Sequence, residues 1–292
     1  MKGGLVIAVL VLIVASVAII FISDGNSDEV NSDLIENRSS NLVGQEDSGI
    51  FTENNSAQKE AIVWSFDFET KDWSVKGIPP ICSEPLIFPS PADVNLVSGL
   101  LYPGQVRGTD YKPHGGFRFD NLENNEVDVY APINGSLFRA ARHLESGEIQ
   151  YSLYFINDCG IMYKLDHLRE LTDKFEEIIN VVPMGEEGDS RTTEINPTVF
   201  VAKGEHIATK VGIENYPSGY QGRNIFFDFG VYDLRKTNGV NYDLEFRAQH
   251  LSIDEYGAHA LCWFDYLEPE DKIIVEGLPA SGTEGEESDY CS

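Results

Sequence analysis

Basic residues are scarce in this chain: 21 Lys and Arg stand against 48 Asp and Glu, for a formal net charge of −27. That balance excludes nucleic-acid binding, which needs basic patches to neutralise phosphate. It also excludes peripheral docking on anionic lipid, and it keeps the surface solvated. There is no G-x-S-x-G, no P-loop and no H-E-x-x-H, so the common serine-hydrolase, nucleotide and zincin signatures are missing. No C-x-x-C pair exists, which removes zinc fingers. No internal repeat is visible, and no cysteine follows the N-terminal apolar run, which removes a lipoprotein anchor.

What is present begins with that run. Residues 5–22 (LVIAVLVLIVASVAIIFI) are apolar throughout, with Lys2 the only charge before Asp24. At about 1.5 Å per residue the run reaches roughly 27 Å, close to one hydrocarbon core. Residues 1–23 are predicted to form an uncleaved signal anchor. The alternative is a cleaved signal peptide and a secreted product, since Ala15-Ser16-Val17-Ala18 offers small residues for cleavage. Lys2 before the run and acids after it place the remainder outside the cytoplasm.

Residues 24–60 are rich in Asp, Glu, Asn and Ser. They have too little apolar surface to offset ordering entropy and read as a disordered acidic linker. A single folded region is expected over 61–292. Its segments AIVWSFDF, VDVYAPI, IQYSLYFI, GIMYKLDHL, PTVFVA, NIFFDFGVYDL, YDLEFRA and HALCWFDYL are rich in β-branched and aromatic residues. Turn pairs such as Asn134-Gly135 and Asn238-Gly239 separate them. The class expected is all-β, with one helix at 172–182 started by Thr172, and an acidic loop over 184–196. Residues 282–287 read as a flexible acidic approach to Cys291.

Cys82, Cys159, Cys262 and Cys291 make an even set in an exported chain, so disulfides are expected. Three connectivities are possible. A bond pinning the tail through Cys291 is preferred, with Cys262 its nearest partner in sequence. Sequons at Asn37, Asn54 and Asn134 offer glycan acceptors.

One constellation carries chemistry. His114-Gly115-Gly116 is followed by Val129-Tyr130-Ala131-Pro132-Ile133-Asn134-Gly135-Ser136-Leu137, then Tyr163-Lys164-Leu165-Asp166-His167-Leu168. Val201-Ala202-Lys203-Gly204-Glu205-His206-Ile207-Ala208 comes next, then Phe226-Phe227-Asp228-Phe229. Over about residues 100–235 this order resembles the lysostaphin-type zinc metallopeptidase domain, with its His-x-Gly-x-Asp, V-x-A-P-x-x-G-x-V, His-Leu and His-x-His landmarks. The resemblance implies an antiparallel β-sandwich with loop insertions. It implies that His114 corresponds to the first zinc ligand and His167 to a catalytic helper.

Three positions depart from the pattern. Arg118 stands where the aspartate ligand belongs, Phe226 replaces a catalytic histidine, and Asp228 replaces the last ligand. A guanidinium offers no lone pair and repels a cation. The expectation is therefore an Arg118–Asp228 ion pair in place of the metal, with no cofactor. The alternative is an active endopeptidase with zinc held by His114, Asp120 and Asp228, Asp120 reaching in through a bulge rather than merely forming a turn. The function expected is a membrane-anchored binding or scaffolding module for an envelope protein or polymer.

Overall fold

Alternating apolar and polar residues drive most of the chain into strands. The computed structural model describes residues 61–216 and 223–291. The predicted anchor over 1–23 and linker over 24–60 lie outside the described residues. Among the described residues no helix is long and apolar enough to cross a membrane.

The chain opens with a hairpin, β1 (Val63–Asp67) and β2 (Asp72–Lys76). Short strands follow: β3 (Gly99–Leu101), β4 (Gln105–Arg107), β5 (Asp110–Lys112), β6 (Gly115–Arg118) and β7 (Glu126–Tyr130). Long central strands come next: β8 (Gly135–Glu145), β9 (Glu148–Ile156) and β10 (Ile161–Leu171). After helix α1 (Asp173–Ile179) come β11 (Met184–Glu187), β12 (Thr193–Val201), β13 (His206–Val211) and β14 (Phe226–Asp233). The C-terminal part is helical, with α2 (Leu244–Gln249), α3 (Ser252–Glu255) and α4 (Pro269–Glu276).

Ten strands form one mixed, unclosed sheet in the order β11-β8-β9-β10-β14-β6-β3, with β12 added on β8 and β13–β7 added on β10. The β-dominated class is as expected. The sheet is mixed where an antiparallel one was expected, because β11 runs parallel to β8. The branch to β13 is visible in β10. Its first half pairs with β14 up to Asp166↔Asp228, and its second half pairs with β13 from Leu168↔Val211. Against β9 the same stretch slips, with Leu165 opposite Leu153 and Leu168 opposite Tyr151. The extra residue bends the strand and hands it to a new partner. His167 sits at that point with φ 60°.

One face of the sheet carries the main core. Phe117, Phe227, Phe229, Leu165, Leu153 and Phe155 are fully buried there. Trp263 closes this core with ring centroids 4.8 Å from Phe117 and 5.2 Å from Phe229. On the other face a smaller cluster joins Trp73, Tyr154, Met162 and Tyr232 beneath the β1–β2 hairpin.

Two segments differ from the strands expected. YDLEFRA forms α2, because the Asp243 side chain caps it by accepting the Phe246 N–H. HALCWFDYL holds only isolated bridges, Ala260 to Tyr232 and Leu267 to Phe88, on either side of a 3-10 turn over Trp263–Tyr266. Coiling lets Trp263 and Phe264, adjacent in sequence, both turn inward, which alternating strand geometry forbids. The acidic 184–196 segment is not a plain loop but supplies β11 and the start of β12. The predicted helix at 172–182 is present as α1, started at Thr172, whose hydroxyl donates to the His206 carbonyl and accepts no N–H of the helix. The 282–287 segment is held by Gln105, whose amide donates to the carbonyls of Gly285 and Glu287.

The cysteines pair as Cys82–Cys159 and Cys262–Cys291. The second is the tail-pinning bond expected.

Candidate functional site

Register builds the site. β14 lies between β6 and β10, pairing Asp228 with Gly116 on one side and with Asp166 on the other. Arg118 pairs with Phe226, and Lys164 with Gly230. Side chains alternate along each strand, so all of these share the face opposite the phenylalanine core. His114 precedes β6 and has the same parity.

A chain of alternating imidazoles and carboxylates results. His114 Nε2 lies 2.9 Å from Asp228 Oδ2, and His167 Nε2 lies 3.8 Å from the same oxygen. His167 Nδ1 is 3.3 Å from Glu145 Oε2, an ion-pair contact outside hydrogen-bond alignment. His143 Nε2 is 3.7 Å from that Glu145 oxygen. Beside this chain, Lys164 Nζ pairs with Asp166 Oδ2 at 2.7 Å, and Ser152 Oγ donates to the other Asp166 oxygen.

The two histidines that flank Asp228 are driven in opposite directions. Burial, with Lys164 nearby, pushes His114 down to about 4. Burial also opposes charge on His167, but Asp166, Glu145 and Asp228 surround it and raise it to about 9. Burial would raise Asp228, but His114, Arg107 and His167 hold it well below the ordinary carboxylate range. The His143 and His167 rings beside it lower Glu145 to about 2. At neutral pH the geometry thus favours neutral His114, ionised Asp228 and cationic His167. The left-handed backbone of His167 costs a non-glycine residue on the order of 1–3 kcal/mol. The bulge and these three carboxylates hold the ring there.

The expected Arg118–Asp228 pair is corrected. Arg118 clamps Asp120 through Nη2–Oδ1 at 2.6 Å and Nε–Oδ2 at 3.2 Å, with its guanidinium carbon 5.8 Å from the centre of the Phe226 ring. Two atoms bonding one planar carboxylate favour this local pairing over the diagonal reach to Asp228. Asp120 is in the turn after β6, its backbone N–H bonded to Ser98 Oγ. Among the described residues there is no group of three or more His, Cys, Asp or Glu side chains arranged to hold a metal. Of the residues of the alternative zinc set, Asp120 is bonded to Arg118, and Asp228 lies against His114 and His167.

The structure brings His114, His167 and Asp228 together and adds Glu145, His143, Lys164 and Asp166, which the sequence reading missed. Parity held a signal for two of them. In Tyr163-Lys164-Leu165-Asp166 the polar residues alternate with core residues, which puts both charges on one buried face.

Gly116 makes the approach of Asp228 possible. A Cβ there would lie 2.7 Å from the Phe227 carbonyl oxygen and 2.8 Å from Asp228 Oδ1. Gly116→Ala is expected to destabilise the fold by about 1–3 kcal/mol through overpacking. Urea unfolding checks this, and an unchanged midpoint would contradict the close packing described.

Comparison with protein-family models, with characterised proteins and with solved structures finds no match for this chain.

Proposed function

We propose that this chain is a membrane-anchored, extracytoplasmic protein whose β domain is a degenerate, non-catalytic lysostaphin-type peptidase domain. It acts as a binding or scaffolding module at the cell envelope. The observation that carries this reading is the closure of the would-be metal site by ion pairs. Arg118 occupies the position of one ligand and holds Asp120. Asp228 occupies another and is engaged by His114 and His167. A catalytic zinc needs three protein ligands and an open fourth position to make water nucleophilic near neutral pH. The apolar N-terminal run supports the anchor, and the two disulfides suit an oxidising compartment.

The test is metal content. The purified full chain, incubated with excess zinc and then dialysed, is expected to retain far less than one zinc per chain by atomic spectroscopy. Stoichiometric zinc, lost on replacing Asp228 with Ala, would overturn the reading in favour of an active endopeptidase.

A further inference from the structure

A cleft of about 380 Å³ opens beside His114 on the same face of the sheet. Its size lies in the range of small-molecule sites. Lys164 lines it from β10, Tyr154 from β9, Tyr232 from β14, and His250 and Tyr256 from the C-terminal helical segment. Lys164 is 8% exposed, which is unusual for an ammonium group.

Hydrogen-bond accounting shows what this cleft offers. Lys164 has three N–H donors and no acceptor. Asp166 takes one of them, and the ammonium lies 5.4 Å from the centre of the Tyr154 ring. The Tyr111 backbone N–H donates to His250 Nδ1 at 3.1 Å. A neutral imidazole that accepts at Nδ1 carries its hydrogen on Nε2, so His250 presents a second donor. Burial raises the pKa of the Tyr154 and Tyr232 hydroxyls, which keeps both protonated and able to donate. Lys112 stands at the rim, paired at 3.5 Å with Asp110, the acid that also lines the cleft. In a chain with so few basic residues, the buried Lys164, an imidazole N–H and two phenols meet in one cleft, with the Lys112–Asp110 pair at its rim. Around these donors the walls are aromatic.

We infer that this cleft binds a small carboxylate with an apolar body, its carboxylate on the Lys164 ammonium and the tyrosine hydroxyls and its body against the rings of Tyr154, Tyr232 and Tyr256. A free acid and the C-terminal carboxylate of a peptide present the same chemistry. The assignment rests on the binding reading above, for which it names a ligand class, and its test is independent of zinc.

The full chain, freed of metal with 1,10-phenanthroline, is titrated with 3-phenylpropionate and with the peptide Gly-Gly-Phe. The corresponding amides, 3-phenylpropionamide and Gly-Gly-Phe-amide, are the controls. Amide NMR shifts of Tyr111 and Ser252 report binding. At least one carboxylate is expected to bind with Kd near or below about 1 mM, and its amide at least about tenfold more weakly. Tighter binding of the peptide assigns a chain terminus as the source, and tighter binding of the simple acid assigns a free acid. Lys164→Met is expected to weaken binding by about tenfold or more. Because that change strands Asp166, the Tyr154→Phe and Tyr232→Phe variants, which keep the rings, are measured beside it. Each is expected to weaken the carboxylate several-fold while leaving the amide unchanged. Equal affinity for acid and amide, no shift from either acid, or full affinity in both tyrosine variants would overturn the inference. A failure here with little zinc retained leaves the closed metal site standing. Binding of carboxylates alongside stoichiometric zinc would instead sink the non-catalytic reading alone.

Discussion

Replacing Cys82 and Cys159 together by Ala is expected to lower the unfolding free energy by about 4.5 kcal/mol, on the chain-entropy estimate for a loop of this length. The bond joins residues 77 apart in sequence, so its loss frees a long segment of the unfolded chain. Cys262 and Cys291 are only 29 apart, and the same estimate gives about 3.6 kcal/mol. The two losses also differ in kind. Cys82 and Cys159 are buried within the main core, between the loop before β3 and the turn joining β9 to β10. Removing that bond loosens the global fold. Cys291 holds the tail, where Tyr290 donates to the Pro113 carbonyl and Ser288 to the Pro103 carbonyl. Removing the second bond frays this tail first. Urea unfolding of both double variants separates the cases. A smaller loss for the Cys82/Cys159 variant than for the Cys262/Cys291 variant would contradict the argument.

The stability of the domain is expected to peak near pH 6.5 and to fall on both sides, because His167 and His114 are shifted in opposite directions. His167 rises from its ordinary 6.5 to about 9. Its contribution is fully present below pH 6.5 and is lost as pH rises through 9. That loss is on the order of 3 kcal/mol. His114 moves from 6.5 down to about 4. The unfolded chain then takes up the proton first, so stability falls as pH drops from 6.5 to 4. Glu145, lowered from 4.5 to about 2, adds a further loss below pH 4.5. The groups facing His167 are Asp166, Glu145, Asp228 and the ring of Phe226. His167→Asn is expected to flatten the alkaline limb between pH 6.5 and 9 and leave the acid limb in place. Urea midpoints at pH 6.0, 7.5 and 9.0 for both proteins decide it. Wild-type protein as stable at pH 9.0 as at 6.0 would rule out a cationic His167 in the fold.

The sequence by itself determined the β-dominated class and most central strands, and its even cysteine count pointed to disulfides while leaving their pairing to the structure. Alternation is a local property, and β9, β10, β12 and β14 show it within their own residues. The shift from the polar 24–60 stretch to AIVWSFDF likewise marks where β1 begins, because burial needs apolar density. Sequence order also placed His114, His167 and Asp228 as landmarks of one site.

Tertiary structure alone decided how they meet. The partner of Arg118 turned on whether a guanidinium reaches along its own strand to Asp120 or diagonally to Asp228, a difference of a few ångströms that no spacing encodes. Glu145 and His143 enter the site because β10 bends at residue 167 and β8 runs far enough to meet it, both products of long-range pairing. The coiling of HALCWFDYL followed the same logic. Two adjacent aromatics gain more by burying together against Phe117, Phe229 and Tyr102 than by alternating in a strand, and only the assembled core offers them that surface.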